Sequence, residues 1–233
     1  MGRKSSTSKA GAPAHGTPLP VGLRLDGTRS LTLRVTQAGL RLLIDLCAAP
    51  GSTSEGLDLI PSAGPLLVCS SHMSNLDPLL LAARLPRVPH AMAKAEMFRN
   101  PVLRAYLNQC NCFPVRRGEP DRRAIRAALA VLKSGGVLVL FPEGHRSYGK
   151  GLLPFEPGAG YLAVRAGVPV LPCAVWGTET VLSRGALIPR RAPIHLRVGE
   201  PFVPLPGAPA EVSREIRRRV AAMLPASYRG SAD

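Results

Sequence analysis

Apolar residues along the chain follow two different spacings, which predict two kinds of secondary structure. Short apolar runs, several of them bordered by glycine or proline, predict buried strands at Leu66–Ser70, His90–Lys94, Cys112–Val115, 136–141, 168–175 and 194–198. Stretches whose apolar residues recur every three or four positions predict helices at 79–84, 101–108, Arg122–Lys133, 158–166 and 211–223. Because strands alternate with helices, we expect an α/β sandwich whose mostly parallel or mixed central sheet is flanked by helices.

The first helical stretch, residues 31–48, mixes apolar positions such as Ile44 with the charged residues Arg34, Arg41 and Asp45. This amphipathic pattern is compatible with a helix that lies in a membrane interface. It is equally compatible with a helix that packs on the core of its own domain. The pattern alone leaves both alternatives open.

Composition and periodicity divide the chain into four expected segments. They are a basic disordered tail (1–30), the amphipathic helix (31–50), a main folded domain (51–225) and a C-terminal tail (226–233). The first segment is rich in Ser, Gly, Ala and Pro and lacks the apolar core of a signal peptide. No run of 18 apolar residues occurs in the sequence, so we do not expect a membrane-spanning helix.

The charge balance narrows the range of partners. The chain has 30 Lys and Arg residues against 15 Asp and Glu residues, which gives a formal net charge of +15. This favours anionic partners, namely nucleic acid, phosphorylated small molecules or acidic lipid. The aromatic content of 4% weighs against the stacking surfaces that bind single-stranded nucleic acid. Five cysteines without a recognisable spacing predict free thiols in a reducing compartment.

A candidate acid–base pair lies directly after the first predicted strand, where His72 is followed five positions later by Asp77. A carboxylate at the start of the next helix can turn back to the imidazole, fix its tautomer and stabilise the imidazolium that forms during proton transfer. Because no nearby serine or cysteine stands in a nucleophile-elbow pattern, such a base would activate a substrate hydroxyl directly. A histidine and an aspartate at this spacing also occur in ordinary loops.

The loop Phe-Pro-Glu-Gly-His-Arg-Ser, residues 141–147, is a candidate for binding an anionic group. Gly144 lets the backbone approach a ligand, and Arg146 offers a planar donor fork for phosphate. Glu143 can hold a ligand hydroxyl or orient an arginine. The alternative is a tight turn with a salt bridge.

Two further segments have weaker signals. Arg116 and Arg117 stand just after a predicted strand and form either an anion site or a solvated basic loop. The run Val-Pro-Val-Leu-Pro, residues 168–172, suits a strand beside a hydrocarbon groove, or simply part of the core.

Taken together, these four segments resemble the ordered sequence blocks of the lysophosphatidic acid acyltransferase family, the 1-acylglycerol-3-phosphate acyltransferases of phospholipid synthesis. The blocks cover roughly residues 56–201. Three positions depart from the family pattern: Ser71 replaces a frequent Asn, Asn111 a frequent Gly and His145 the usual Thr. These departures bear on the identity of the acyl acceptor more than on the reaction.

The resemblance implies a role for each matching residue. His72 would be the general base, and Asp77 would orient it. The substrate-binding set, which would hold the acceptor and its phosphate or lie on the acyl-donor side, consists of Arg117, Glu143, Gly144, Arg146 and Pro172. No metal or bound cofactor is implied, since acyl-CoA or the acyl carrier protein is a donor substrate.

The reaction implied by the resemblance transfers a fatty acyl group from acyl-CoA or acyl carrier protein to the sn-2 hydroxyl of lysophosphatidic acid, giving phosphatidic acid. We expect an anionic membrane surface as a further partner, no nucleic acid, and a peripheral location on the cytoplasmic face of the cell membrane. One alternative is the same chemistry on another lysolipid, a lyso-aminolipid or glycerol 3-phosphate. A second is a non-catalytic protein that binds anionic lipid or nucleic acid, but retention of the whole candidate site argues against it.

Overall fold

A computed structural model of the protein describes residues 31–116, 118, 121–186 and 188–230. The predicted tail at residues 1–30 lies outside the described residues. The strands are β1 (Thr53–Glu55), β2 (Leu66–Ser70), β3 (His90–Lys94), β4 (Cys112–Val115), β5 (Val137–Leu140), β6 (Val170–Trp176) and β7 (His195–Val198). The helices are α1 (Leu31–Cys47), α2 (Asp77–Arg84), α3 (Pro101–Gln109), α4 (Arg122–Lys133), α5 (Pro157–Ala166), α6 (Thr178–Val181) and α7 (Pro209–Met223).

The strands form one seven-stranded sheet in the order β1-β7-β6-β2-β5-β3-β4. Neighbouring strands are parallel, apart from the antiparallel pair β6 and β7. The predicted α/β sandwich with a mostly parallel, mixed sheet is therefore confirmed. Because β2, β5 and β6 run in the same direction side by side, the loops after them open at one edge of the sheet.

Strand β2 shows how the sheet is buried on both faces. Leu66 and Val68 pack on the side of α1 and α2, whereas Leu67 and Cys69 pack on the side of α4, α5 and α7. All four side chains are fully buried. A strand covered on both faces buries apolar side chains on each of them, which explains why residues 66–69 form a continuous apolar run.

Two short elements were not predicted. Strand β1 consists of polar, exposed residues that pair with β7 at the edge of the sheet, so no apolar pattern marks it. Helix α6 has four residues, too few for a helical period to be visible in the sequence. Helix α2 begins at Asp77, two residues before its predicted start.

Helix α1 packs on the domain with one face. Gln37 and Arg41 donate side-chain hydrogen bonds of 2.7–2.9 Å to carbonyl groups at and just after the end of α2. Ile44 on the same helix is fully buried. The opposite face leaves three large apolar side chains exposed, each by about 60%: Val35, Leu42 and Leu46. No described helix combines the length and the apolar character that crossing a bilayer requires.

Residues 226–230, which the sequence assigned to a C-terminal tail, pack against the domain. The Tyr228 carbonyl accepts a hydrogen bond of 2.9 Å from the Leu152 N–H, and the Tyr228 hydroxyl donates one of 2.7 Å to Glu179. The packed domain therefore extends at least to residue 230, because Tyr228 packs against a core cluster of the domain and Gly230 lies directly against the Leu152 backbone.

Candidate active site

The candidate base lies at the carboxyl end of β2, next to the carboxyl end of the parallel strand β6. Ser71 joins the two strands beyond their last paired residues, because its hydroxyl donates to the Val175 carbonyl at 2.9 Å and accepts the Val175 N–H at 2.8 Å. His72 follows directly and is 7% exposed. The position of the imidazole is thus set by the central strands of the sheet.

His72 and Asp77 form the contact that their spacing predicts. The imidazole Nδ1 lies 2.8 Å from Asp77 Oδ2. The same oxygen accepts the backbone N–H groups of Met73 (2.6 Å) and Ser74 (2.8 Å). Because Nδ1 faces a carboxylate, it carries the ring proton, and Nε2 keeps its lone pair for a substrate. Phe141 stacks on the ring at a centroid distance of 4.1 Å and restricts its rotation.

The second oxygen of Asp77 has a partner that the sequence did not reveal. The hydroxyl of Thr178 donates a hydrogen bond of 2.5 Å to Asp77 Oδ1, and both side chains are fully buried. Thr178 lies 101 residues after Asp77, so local sequence gives no sign of the contact. A threonine just after the end of β6 becomes a candidate only once β6 is known to lie beside β2.

Glu143, which the resemblance assigns to acceptor binding, is buried beside the base. Its side chain is 1% exposed, and its two oxygens accept the N–H groups of His72 (2.6 Å) and Leu153 (3.0 Å). Burial raises the pKa of the Glu143 carboxyl to about 7, against the lowering effect of these two hydrogen bonds. The Glu143 side chain therefore supports the backbone at the base, because each of its oxygens holds one backbone N–H group.

The loop after β5 also carries Gly144, Arg146 and Ser147, three further residues of the candidate anion-binding segment. Gly144 has a φ of 71°, a left-handed conformation that favours glycine and permits the sharp turn. Ser147 donates its N–H to the His72 carbonyl at 2.8 Å, which fixes the end of the loop against the base. The half-buried Arg146 lies over the Tyr148 ring at 4.9 Å, and the exposed Arg184 approaches the same ring at 5.5 Å.

The predicted binding residue Pro172 is not brought into this arrangement. Pro172 lies inside β6 opposite Cys69 of β2, and its ring packs near Gly199, so the structure gives it a packing position. Arg117 lies outside the described residues. The preceding Arg116 donates its backbone N–H to Asp121 at 3.0 Å. Strand β4, which leads to these arginines, is three strand spacings from β2, or about 14 Å.

The five cysteines are free thiols, as predicted. Cys47, Cys69 and Cys173 are buried in the core. Burial raises the pKa of the Cys173 thiol to about 12, which keeps it protonated and unreactive. These thiols contribute packing, and none of the three contacts the imidazole described above.

Comparison with known proteins identifies the family. A family model described as Acyltransferase matches residues 52–176. The 1-acyl-sn-glycerol-3-phosphate acyltransferase of Bacillus subtilis (strain 168) is 28% identical over 144 residues, which span 61% of this chain and 69% of that protein. The chloroplastic 1-acyl-sn-glycerol-3-phosphate acyltransferase BAT2 of Brassica napus is 30% identical over 135 residues, or 57% of this chain but only 39% of the longer plant protein.

A solved structure agrees with these sequence matches. The crystal structure of the 1-acyl-sn-glycerophosphate acyltransferase PlsC from Thermotoga maritima superposes with a TM-score of 0.71 at 26% identity, over 81% of this chain and 76% of that one. The matched sequence runs from β1 to the end of β6 and so contains the base, its carboxylate and the Phe-Pro-Glu-Gly loop. Because the family model covers more than half of the chain, the protein belongs to the acyltransferase family and is an acyltransferase enzyme.

Proposed function

We propose that the enzyme transfers a fatty acyl group from acyl-CoA or acyl carrier protein to the sn-2 hydroxyl of lysophosphatidic acid, giving phosphatidic acid. The observation that carries this proposal is the buried His72–Asp77 pair, whose Nδ1–Oδ2 contact leaves Nε2 available to a substrate hydroxyl. The names of the Bacillus, Brassica and Thermotoga relatives supply the substrate class.

The proposed chemistry needs a base and a good leaving group. His72 Nε2 takes the proton of the acceptor hydroxyl while the hydroxyl oxygen bonds to the thioester carbonyl carbon. The C–S bond then breaks, and the departing thiolate takes the proton from the imidazolium, so the products are an ester and a free thiol. Asp77 stabilises the imidazolium in between, and Arg146, with Arg117, is proposed to hold the acceptor phosphate.

The first test combines a variant with an acceptor panel. Purified wild-type enzyme is assayed with radiolabelled acyl-CoA against lysophosphatidic acid, a second lysophospholipid, a lyso-aminolipid and glycerol 3-phosphate. We expect the highest kcat/KM with lysophosphatidic acid and loss of turnover in His72→Ala, with the fold unchanged by circular dichroism. Wild-type-like turnover in His72→Ala would remove the catalytic assignment, and preference for another acceptor would correct the substrate.

We also propose that the enzyme works peripherally on the cytoplasmic face of an anionic membrane. On helix α1 the three most exposed apolar residues, Val35, Leu42 and Leu46, are spaced by seven and four positions, so they form one stripe opposite the buried Ile44. The net charge of +15 adds attraction to acidic lipid, about 1 kcal/mol for each basic residue near the surface. An apolar stripe and a basic protein together are two signals for interfacial binding.

Vesicle sedimentation tests this location. The triple variant Val35→Ser, Leu42→Ser, Leu46→Ser is compared with a control that changes three scattered apolar residues, which are even more exposed. The control residues are Val102, Ile188 and Leu205. We expect the α1 variant to lose binding to vesicles that contain phosphatidylglycerol, and wild-type binding to weaken in high salt. Equal binding by both variants at every salt concentration would exclude attachment through α1.

A further inference from the structure

We propose that Thr178 is a positioning residue for the acyl transfer, because its hydroxyl sets the plane of the Asp77 carboxylate that orients the base. The inference rests on the proposed function, in which His72 is that base. Thr178 does not contact a substrate in this role. It acts through Asp77 and then through the imidazole.

The fold brings Thr178 to the carboxylate through a turn that needs glycine. Strands β2 and β6 are parallel neighbours, so the residues after each strand meet at the same edge. Gly177 turns the chain there with a φ of 86°, and a Cβ at this position would lie 2.3 Å from the Pro193 carbonyl oxygen. The turn directs the next side chain, Thr178, into a fully buried position against Asp77.

The hydrogen bonds of the Asp77 carboxylate are unevenly divided between its two oxygens. Oδ2 accepts three donors, from the His72 ring and from the backbone of Met73 and Ser74. Three bonds to one atom fix the position of that atom, but the carboxylate plane can still swing about it, since the terminal torsion of aspartate is soft. The Thr178 bond to Oδ1 removes this freedom and keeps the Oδ2 lone pair directed at Nδ1.

The bond also satisfies a buried negative charge. Asp77 is fully buried, so without the Thr178 donor its Oδ1 atom would have neither water nor a hydrogen-bond partner. A hydroxyl donor to an ionised oxygen is a strong, short hydrogen bond. Contacts on either side of it hold the same loops together, namely Ser71 with Val175 and the Ser74 hydroxyl with the Leu182 carbonyl. A variant that removes only the Thr178 hydroxyl should therefore still fold.

Three variants separate the hydroxyl from the shape of the side chain. Thr178→Val keeps the shape and removes the donor, whereas Thr178→Ser keeps the donor and removes a methyl group. Thr180→Val is the matched control, because Thr180 lies on the same four-residue helix and its hydroxyl bonds the Gly177 carbonyl instead of Asp77. All are assayed with the acceptor on which the wild-type enzyme turns over fastest.

We expect Thr178→Val to lower kcat by about 10-fold to 100-fold while KM stays within about twofold, as for loss of a hydrogen bond to a charged group. Thr178→Ser should retain kcat within about threefold, since the donor is kept. Thr180→Val should match the wild type. The inference is overturned if Thr178→Val keeps wild-type kcat, if Thr178→Ser loses as much as Thr178→Val, or if Thr180→Val shows the same loss.

A nuclear magnetic resonance measurement tests the positioning without using activity. In protein with ¹⁵N-labelled histidine, the Nδ1–H proton of His72 is assigned by its loss in His72→Gln among the five histidines of the chain. We expect this resonance to shift upfield and to exchange faster with water in Thr178→Val, and an unchanged resonance would overturn the inference. Failure of the proposed function would appear separately, as a wild-type enzyme that turns over no acceptor.

Discussion

The candidate active site has two parts that are held in place in different ways. The floor of the site, His72, Asp77, Glu143 and Thr178, lies at the carboxyl ends of β2, β5 and β6 and is at most 7% exposed. The rim of the site, Arg146, Tyr148 and Arg184, is half-buried or exposed. Hydrogen bonds of 2.5–3.0 Å connect the floor residues to one another and to the backbone. The rim residues contact each other through ring–guanidinium distances of 4.9 and 5.5 Å.

The different strengths of these contacts suggest different roles for the two parts: the floor would serve the chemical step and the rim would bind the acceptor. Hydrogen bonds to charged groups contribute about 1.5–3 kcal/mol each, whereas an exposed cation–π contact contributes about 0.5–1 kcal/mol. In the proposed mechanism the base is therefore oriented before the substrate binds, and the arginines of the rim remain free to adapt to the acceptor phosphate. Changes in the floor should lower kcat, and changes in the rim should raise KM for the acceptor.

The largest expected effect comes from Asp77→Asn in the floor. An amide NH2 group at the Oδ2 position faces the N–H groups of Met73 and Ser74 and donates to Nδ1, which leaves the imidazole in the wrong tautomer. An amide turned the other way keeps these bonds but lacks the negative charge that stabilises the imidazolium. We expect kcat to fall by on the order of 10³-fold to 10⁴-fold, with little change in KM. Steady-state kinetics measure this, with near-unchanged circular dichroism as the control. A kcat within tenfold of wild type would mean that the floor does not determine the rate.

Glu143→Gln tests the floor through its pH dependence. Burial raises the pKa of the Glu143 carboxyl from 4.5 to about 7, so the folded protein binds this proton more tightly than the unfolded chain. Its contribution to stability is full below about pH 4.5 and is lost as the pH rises through about 7, by on the order of 3 kcal/mol. We expect the free energy of unfolding of the wild type to fall from pH 5 to pH 8 more steeply than that of Glu143→Gln.

Urea unfolding at pH 5, 6, 7 and 8 measures this difference. The variant should be less stable than the wild type at pH 5, because an amide has one acceptor oxygen for the two N–H groups of His72 and Leu153. The gap should narrow as the pH rises. Parallel pH profiles for the two proteins would show that Glu143 has an ordinary pKa and that its carboxylate is not a desolvated part of the floor.

Arg146 provides the corresponding test of the rim. Arg146→Ala should raise KM for a phosphate-bearing acceptor by about 10-fold to 100-fold, and Arg146→Lys should recover only part of the loss because a lysine lacks the planar fork. The exposed Arg214 on α7 is the matched control, since Arg214→Ala also removes one positive charge but at a residue outside both the floor and the rim. A fall in kcat with unchanged KM would place Arg146 functionally in the floor and would break the distinction between the two parts.

The sequence predicted what local spacing determines. The His72–Asp77 contact spans five residues, and the buried strands β2, β5 and β6 are apolar runs that can be recognised without a structure. The contacts of Thr178 with Asp77 and of Glu143 with His72 span 101 and 71 residues. They depend on which strands are neighbours in the sheet. A sequence does not specify that order through its periodicity, so neither the Thr178–Asp77 contact nor the Glu143–His72 contact was predicted.

The packing of the C-terminal residues was not predicted for a related reason. The segment from residue 226 has few apolar residues and no visible period, yet Tyr228 packs through a single ring and two hydrogen bonds to distant residues. Its partners are Leu152 and Glu179, which belong to the loop after β5 and to α6. One side chain with distant partners leaves no repeated pattern in the sequence.

Tyr228→Phe should have the smallest effect and marks the outer limit of the floor. The change removes the hydrogen bond of 2.7 Å to Glu179, next to Thr178, but keeps the ring and the backbone bond to Leu152. We expect a loss of about 1 kcal/mol in stability, seen as a melting temperature about 2–4 °C lower, with kcat within about twofold. Tyr161→Phe, at an exposed tyrosine of α5, is the control. If Tyr228→Phe instead lowered kcat as far as Thr178→Val, the rigid floor would extend through Glu179 to the C-terminal residues, and the orientation of the base would depend on the end of the domain.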